Sequence, residues 1–268
     1  MKTNKFDKAI NEIESLSVHS KTDNWLNNIN PIVKIFVTVL YLLVVVSFEK
    51  QNLWGLFSMI LYPAILFLAA DISLKDALRR LKIILPLIIF MAILNPIFDR
   101  QVVGEIFGIK ITSGFISMLT LILKGFFTVF ATYILILTTS LEKICYSLKA
   151  FHFPEILITI ILIEIRFIPM LLGETKKVTQ AYSLRAPGQK GIHFRVWGSL
   201  AGSILVRSVD RANEIYDSMC LRGYSSKFFT NEKMKFRFSD FAFLAVASLL
   251  IITFRIYPVF SIIGNLFI

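Results

Sequence analysis

The chain has 268 residues, with 29 Lys+Arg against 18 Asp+Glu for a net charge of +11, and it is 56% hydrophobic with 25 phenylalanines. Only 18% of it is charged, where a soluble domain usually carries about 25%, which argues against a disordered chain and a simple soluble enzyme. Two cysteines exclude a disulfide-built secreted scaffold, and what remains is an all-α integral membrane protein with a basic extramembrane part.

Residues 1–24 carry Lys2, Lys5, Asp7, Lys8, Glu12, Glu14, Lys21 and Asp23 with no apolar run, so they do not read as a signal peptide. Phe6, Ile10, Ile13 and Leu16 recur at helical spacing, which suits either a short helix on the membrane surface or a frayed polar tail. A membrane span needs about 20 apolar residues. Five segments fit: Ile32–Phe48, Leu53–Ala70, Ile83–Phe98, Phe115–Thr139 and Phe241–Tyr257. Pro63 and Pro86 lie inside such runs, where neighbouring helices can satisfy the freed carbonyls. Lys124, inside the fourth, reads as a residue that snorkels or finds a partner within the bundle.

The basic residues set the orientation. Lys75, Arg79, Arg80 and Lys82 crowd the second-to-third connection, whereas the third-to-fourth holds only Arg100 and Lys110. The first connection is therefore expected inside and the second outside, with a small hairpin over Val102–Thr112. The N-terminus and everything between the fourth and fifth spans are then cytoplasmic. This divides the chain into 1–139, a surface segment and four spans; 140–240, a cytoplasmic helical region; and 241–268, the last span.

Residues 140–240 hold 15 Lys+Arg and 9 Asp+Glu, a basic balance that suits anionic lipid without further function. Ile156–Leu172 is long enough to pass for a span, but Glu164 and Arg166 lie near its middle, where charge is costly in lipid. A crossing there would also put a string of Lys and Arg on the wrong side. It is expected to pack on the bundle or lie at the inner interface, starting after Pro154 and kinked at Pro169. A polar helix over Glu174–Ala186 follows, stopped by Pro187-Gly188. A second helix runs from Trp197 to Arg222, with Leu205, Val209, Ala212, Tyr216 and Met219 on one apolar stripe. Arg207–Asp210 and Arg211–Glu214 are i,i+3 pairs on its other side, and Gly223 ends it.

Both helices finish alike: Ser183-Leu184-Arg185-Ala186 and Cys220-Leu221-Arg222-Gly223. A single arginine at a helix C-terminus is explained by the helix dipole, worth about 0.3–1 kcal/mol. Two of them on consecutive amphipathic helices suggest paired docking points, since the planar guanidinium grips carboxylates and carbonyls together.

With these stretches in order, the sequence resembles the transmembrane T component of energy-coupling factor (ECF) transporters, the family that includes the cobalt-uptake permease. Ile29-Asn30-Pro31 followed by Lys34 resembles the family's L-D-P-x-x-K, with Asn30 in place of Asp. Phe153-Pro154-Glu155 and Arg166-Phe167-Ile168-Pro169 resemble its P-x-x…R-F-I-P segment. Gln180-Ala181 leading to Arg185 resembles the first A-R-x box, and Arg211-Ala212-Asn213-Glu214 leading to Leu221-Arg222-Gly223-Tyr224 resembles the second. Leu184 and Leu221 stand where the family usually has Ala, and Ala186 where it often has Ser or Gly.

The resemblance implies a scaffold that neither hydrolyses ATP nor selects the substrate. Its partners would be two cytoplasmic ATPases of the ATP-binding-cassette type, docked at Ser183, Leu184, Arg185 and Ala186 and at Leu221, Arg222 and Gly223. A membrane-embedded S component would deliver a vitamin or a transition-metal ion inward, in the plasma membrane of a prokaryote. Membrane lipid is a further partner, and nucleic acid is not expected. The residues agree with that division of labour. No G-x-x-x-x-G-K-[ST] phosphate loop is present, and His19, His152 and His193 are scattered, so neither a cofactor nor a metal site is expected. Cys145 and Cys220 fall on the cytoplasmic side, where a disulfide is not expected. The competing reading is a membrane-embedded enzyme acting on lipid or isoprenoid phosphates, against which stands the near absence of acidic residues in the spans.

Overall fold

A computed structural model describes residues 25–49, 53–70, 74–99, 102–106, 109–189, 191–224 and 236–256. The N-terminal residues 1–24, read above as a surface helix or a polar tail, lie outside the described residues. A 3-10 turn, Trp25–Asn28, leads into α1 (Pro31–Val46), α2 (Leu53–Ser58), α3 (Leu61–Ala69) and α4 (Leu74–Phe98). A hairpin of β1 (Val102–Ile106) and β2 (Ile109–Thr112) follows, then α5 (Ser113–Thr138), α6 (Leu141–Ala150), α7 (Glu155–Arg185), α8 (Phe194–Leu221) and α9 (Phe238–Ile256). Apart from this expected hairpin, antiparallel with Glu105 opposite Lys110, the fold is the all-α membrane protein the composition implied. Among the described residues, 25–139 with 236–256 form one compact unit and 140–224 another.

In the first unit α1 is the axis. Asn30 caps it, its Oδ1 accepting from the Ile32 N–H at 3.1 Å, and Pro31 at the first position gives up an N–H that would have had no helical partner. Val33, Val37, Tyr41 and Val45 recur every fourth residue and are buried, so one face of α1 is packed along its length. Leu56, Met59 and Tyr62, Phe127, Ala131 and Ile134, and Ala247 and Ile251 complete that core. Helices α5, α7 and α9 are long and apolar enough to cross a membrane, while Pro31–Val46, Gly55–Ala69 and Leu81–Ile97 are shorter apolar stretches.

The span expected over Leu53–Ala70 is broken, because Met59 and Ile60 form a turn between α2 and α3. Pro63 has no N–H to offer the Met59 carbonyl four residues earlier. The Tyr41 hydroxyl donates to that carbonyl instead, at 3.0 Å, and its ring stacks on Tyr62 with centroids 4.6 Å apart. Ser58 Oγ donates to the carbonyls of Gly55 and Phe254 at 2.6 and 3.3 Å. Side chains thus satisfy the polar groups that the break frees inside an apolar bundle.

Helices α4 and α5 pack side by side through two glycines. A Cβ on Gly114 would lie 2.3 Å from the Asp99 carbonyl oxygen and 2.7 Å from Pro96 Cα, all backbone. A Cβ on Gly125 would meet only the Ile88 side chain, at 2.8 Å, and that side chain can turn. Gly114→Ala is therefore expected to destabilise the bundle by about 2–3 kcal/mol, and Gly125→Ala by less than about 1 kcal/mol. Thermal unfolding of the purified chain in detergent measures both, and equal effects would contradict the packing.

Buried polar groups tie the helices together at both ends of α1. At its start, Asp240 is 1% exposed. Its Oδ1 accepts from the Asn30 N–H at 2.9 Å and its Oδ2 from the Arg237 N–H at 2.7 Å. Asp240 thereby caps α9 and joins it to α1. Lys34, also buried, donates from Nζ to the Thr138 carbonyl at 3.0 Å. At the other end Lys124 finds the bundle partners expected of it: its Nζ donates to the Val46 carbonyl at 3.1 Å and to the Phe48 carbonyl. Arg255 Nη2 donates to the Ser47 carbonyl at 3.3 Å, with its guanidinium 4.3 Å from the centre of the Phe48 ring. Two cations at the last carbonyls of α1 match the sign of its dipole.

Candidate functional site

Ser140 caps α6, its Oγ accepting from the Lys143 N–H at 3.3 Å. Cys145 is buried on α6, and that burial, helped by the Glu142 carboxylate, pushes its thiol above the ordinary range. A turn with His152 at φ 60° then delivers the chain to α7, and Lys149 pairs with Glu155 across it at 2.9 Å.

The two helices expected over Ile156–Leu172 and Glu174–Ala186 are one. α7 runs 31 residues without a break, through Pro169 and Gly173. A proline inside a helix costs the hydrogen bond to one carbonyl, and a glycine ends a helix only where it takes a positive φ. Gly188, Gly191 and Gly223 do so, at 105°, 105° and 81°; Gly173 does not. The change from apolar to polar residues at Gly173 is a change of surroundings along one rod. Glu164 and Arg166 are exposed on it.

The first tip closes α7 at Arg185. The Ala186 N–H donates to the Tyr182 carbonyl at 3.1 Å, and the Tyr182 hydroxyl donates to Gln189 Oε1 at 2.7 Å, folding the Pro187-Gly188 turn back on the helix. Ser183 Oγ donates to the Gln180 carbonyl at 2.7 Å. Leu184 is 81% exposed and Arg185 is exposed beside it. α8 starts at Phe194, three residues before the expected Trp197, and closes at Leu221. There the Gly223 N–H donates to the Cys220 carbonyl at 2.9 Å and the Tyr224 N–H to the Met219 carbonyl at 3.0 Å. These are the two bonds of a Schellman cap, which requires the left-handed backbone that Gly223 supplies. Leu221 is 90% exposed, and Arg222 points from the same turn as an exposed cap.

Each sequence-predicted box is thus an exposed arginine and leucine on a capped helix end. The arms meet elsewhere, where Arg207 Nη1 lies 3.9 Å from Glu174 Oε2. Arg207 reaches across to α7 and not to Asp210, whereas the expected Arg211–Glu214 pair forms at 2.7 Å. Lys177 shares Glu174 at 2.8 Å. From that crossing Arg185 is eleven residues away along α7 and Arg222 fifteen along α8, about 17 and 22 Å of helix. No spacing rule in the sequence pointed to this inter-helix contact. The stripe of Leu205, Val209 and Tyr216 is exposed, and no residue of α8 is buried. Among the described residues no three or more His, Cys, Asp or Glu side chains group closely enough to hold a metal ion.

A family model described as CbiQ, cobalt transport protein, matches residues 22–234, which include both tips. The chain belongs to this family. It is a transmembrane T component of the energy-coupling factor transporters. Among its relatives, the energy-coupling factor transporter transmembrane protein EcfT of Ruminiclostridium cellulolyticum is 26% identical over 81% of this chain and 85% of its own length. EcfT of Listeria innocua is 26% identical over 75% and 81%. The nickel permease LarQ of Lactiplantibacillus plantarum is 28% identical over 44% and 43%. For a CbiQ-family chain with two cysteines of contrasting exposure, thiol chemistry offers a direct check on the arms. In detergent at neutral pH a maleimide is expected to label exposed Cys220 within minutes and buried Cys145 at least about tenfold more slowly, because the thiolate reacts and burial suppresses it. Mass mapping of the labelled peptides reads the difference.

Proposed function

We propose that the chain is the non-catalytic scaffold and energy-coupling subunit of an ECF importer. The observation that carries this is the pair of exposed arginines, Arg185 and Arg222, each at the capped end of its own arm. A rigid capped end presents a guanidinium at little entropic cost, and a helix transmits displacement along its length. Two ATP-binding-cassette ATPases would each receive one tip: Ser183, Leu184, Arg185 and Ala186 on one, Leu221, Arg222 and Gly223 on the other. Exposed Leu184 and Leu221 would fill apolar ground beside the guanidinium, in the manner of interface anchors. Closure of the ATPases on ATP would shift the tips. The Glu174–Arg207 crossing would couple the two shifts and pass motion to an S component.

The cargo is a vitamin or a transition-metal ion. The family description and the nickel permease among the relatives support a metal, and the S component would make the choice. We place the chain in the plasma membrane of a prokaryote, with the N-terminus and 140–240 in the cytoplasm. The three regions 1–139, 140–240 and 241–268 then serve as bundle, coupling arms and closing span. In this orientation the apolar half of α7 stays on the cytoplasmic side, although its length and composition would suffice to cross. Labelling tests the orientation. In a Cys145→Ser background, Cys220 and a Ser183→Cys thiol are expected to react with a membrane-impermeant maleimide in inside-out vesicles and not in intact cells. Reaction of either from outside the cell would reverse the topology and remove the docking role.

A further inference from the structure

A cleft of about 470 Å³ lies between the two arms. Glu174 and Lys177 line it from α7, and Arg207, Asp210, Arg211 and Glu214 from α8. Their pairing is uneven. Lys177 Nζ holds Glu174 Oε1 at 2.8 Å, three residues along the same helix. Arg211 Nη1 holds Glu214 Oε2 at 2.7 Å in the same way. Arg207 bridges the arms loosely: its Nη1 stands 3.9 Å from Glu174 Oε2, beyond hydrogen-bond reach. Among the described residues the Asp210 carboxylate has no ion pair or hydrogen bond.

Along α8, Asp210 has one cation within reach. Side chains meet across a helix at spacings of three and four, and those positions hold Val206, Arg207, Asn213 and Glu214. Arg207 therefore stands between two carboxylates, Glu174 on the other arm and Asp210 on its own. Moving it strands no charge, because Lys177 keeps Glu174 and Arg211 keeps Glu214. Both positions are open to water, where ion pairs are of small and similar worth. Packing does not decide between them either. No residue of α8 is buried, and Ile204 and Ser208 beside Arg207 are only partly so.

We propose that Arg207 is a two-position latch: on Glu174 it fixes α8 to α7, and on Asp210 it leaves α8 free to tilt. Cys220 lies thirteen residues beyond Arg207, about 20 Å of helix, so a tilt of about ten degrees moves that end about 3 Å. Only the use of the latch rests on the docking proposed above: it lets the Arg222 tip move relative to the Arg185 tip during a transport cycle. The exchange itself belongs to the chain alone.

Distances between two spin labels test it on the purified full chain in lipid nanodiscs, with no ATPase present. Ser183→Cys and native Cys220 carry the labels in a Cys145→Ser background. The chain with Glu174 and Asp210 intact should give a main distance and a second one held by about a tenth of the molecules. Glu174→Gln removes the inter-arm carboxylate and should raise that second population at least about fivefold. Asp210→Asn removes the alternative and should abolish the second population. Neither residue is buried and both substitutions keep the side chain's shape, so the fold is not at stake. One and the same distribution in all three chains would overturn the latch, as would a shift in the same direction in both variants. In cells carrying the whole importer, each variant, without labels or label cysteines, should lower uptake about fivefold at unchanged ATPase recovery. Uptake equal to the wild type in both would overturn the latch and leave the docking reading standing, because ATPase recovery measures docking separately.

Discussion

Arg185→Glu combined with Arg222→Glu is expected to leave the chain inserted and folded, to lower recovery of the ATPases in a pull-down about a hundredfold, and to abolish uptake. Among the described residues neither arginine forms an ion pair, and both are exposed, so the chain's own stability does not rest on them. Each would lose a charge-assisted hydrogen-bond set worth about 1.5–3 kcal/mol, and about 1.4 kcal/mol is a tenfold change in affinity. The single variants should each lose about tenfold on that arithmetic, one tip still holding its own ATPase. The conservative pair Arg185→Lys with Arg222→Lys is informative, because lysine keeps the charge and loses the planar fork. Uptake by that pair should fall while insertion does not. Full ATPase recovery by the glutamate pair would remove the docking role and leave the arginines as cations at helix ends.

The second large effect belongs to Asp240. Asp240→Ala removes the acceptor of two N–H groups, Asn30 and Arg237, in a place that is 1% exposed. Charged acceptors are worth about 1.5–3 kcal/mol per bond, and a buried donor left without a partner carries its whole desolvation penalty. A loss of about 3–5 kcal/mol follows. Asp240→Asn retains one acceptor oxygen and should cost about half as much. Lys34→Met removes the bond to Thr138 but keeps an apolar stem of similar length in place and takes a charge out of the interior, so its cost should be smaller than that of Asp240→Ala. Thermal or detergent-denaturant unfolding of the purified chain orders the three. If Asp240→Ala melts with the wild type, the carboxylate is not the joint between α1 and α9 described above.

The two tips were legible because punctuation marks them. Pro187-Gly188 and Gly223 are residues that stop a helix for steric reasons, and in each case the arginine lies a residue or two before the stop. The all-α bundle was legible in the same way, from apolar runs of membrane length. The continuity of α7 was not. Gly173 coincides with the end of the apolar run, so a change of environment looked like a change of structure, and only backbone φ separates the two. The break at Met59 was hidden for the opposite reason: apart from Ser58 and Tyr62 every residue near it is apolar, and the tyrosine that satisfies the freed carbonyl lies eighteen positions away. Asp240 falls just before the span expected from Phe241, and nothing local marks it as a joint, because its partner Asn30 is 210 residues distant in sequence. Local pattern reports where a chain must bend or stop; it is silent on which distant group has been recruited to make the bend affordable.

Lys34 grips the last helical carbonyl before the arms begin, and Asp240 grips the chain where the bundle resumes, both on the first turn of α1. Departure and return therefore share one collar. Because that collar is made of contacts within the bundle, the bundle can close on itself whatever length of chain runs between Thr138 and Asp240. Chimaeras made with a relative and spliced at residues 139 and 239 should accordingly insert as well as their parents.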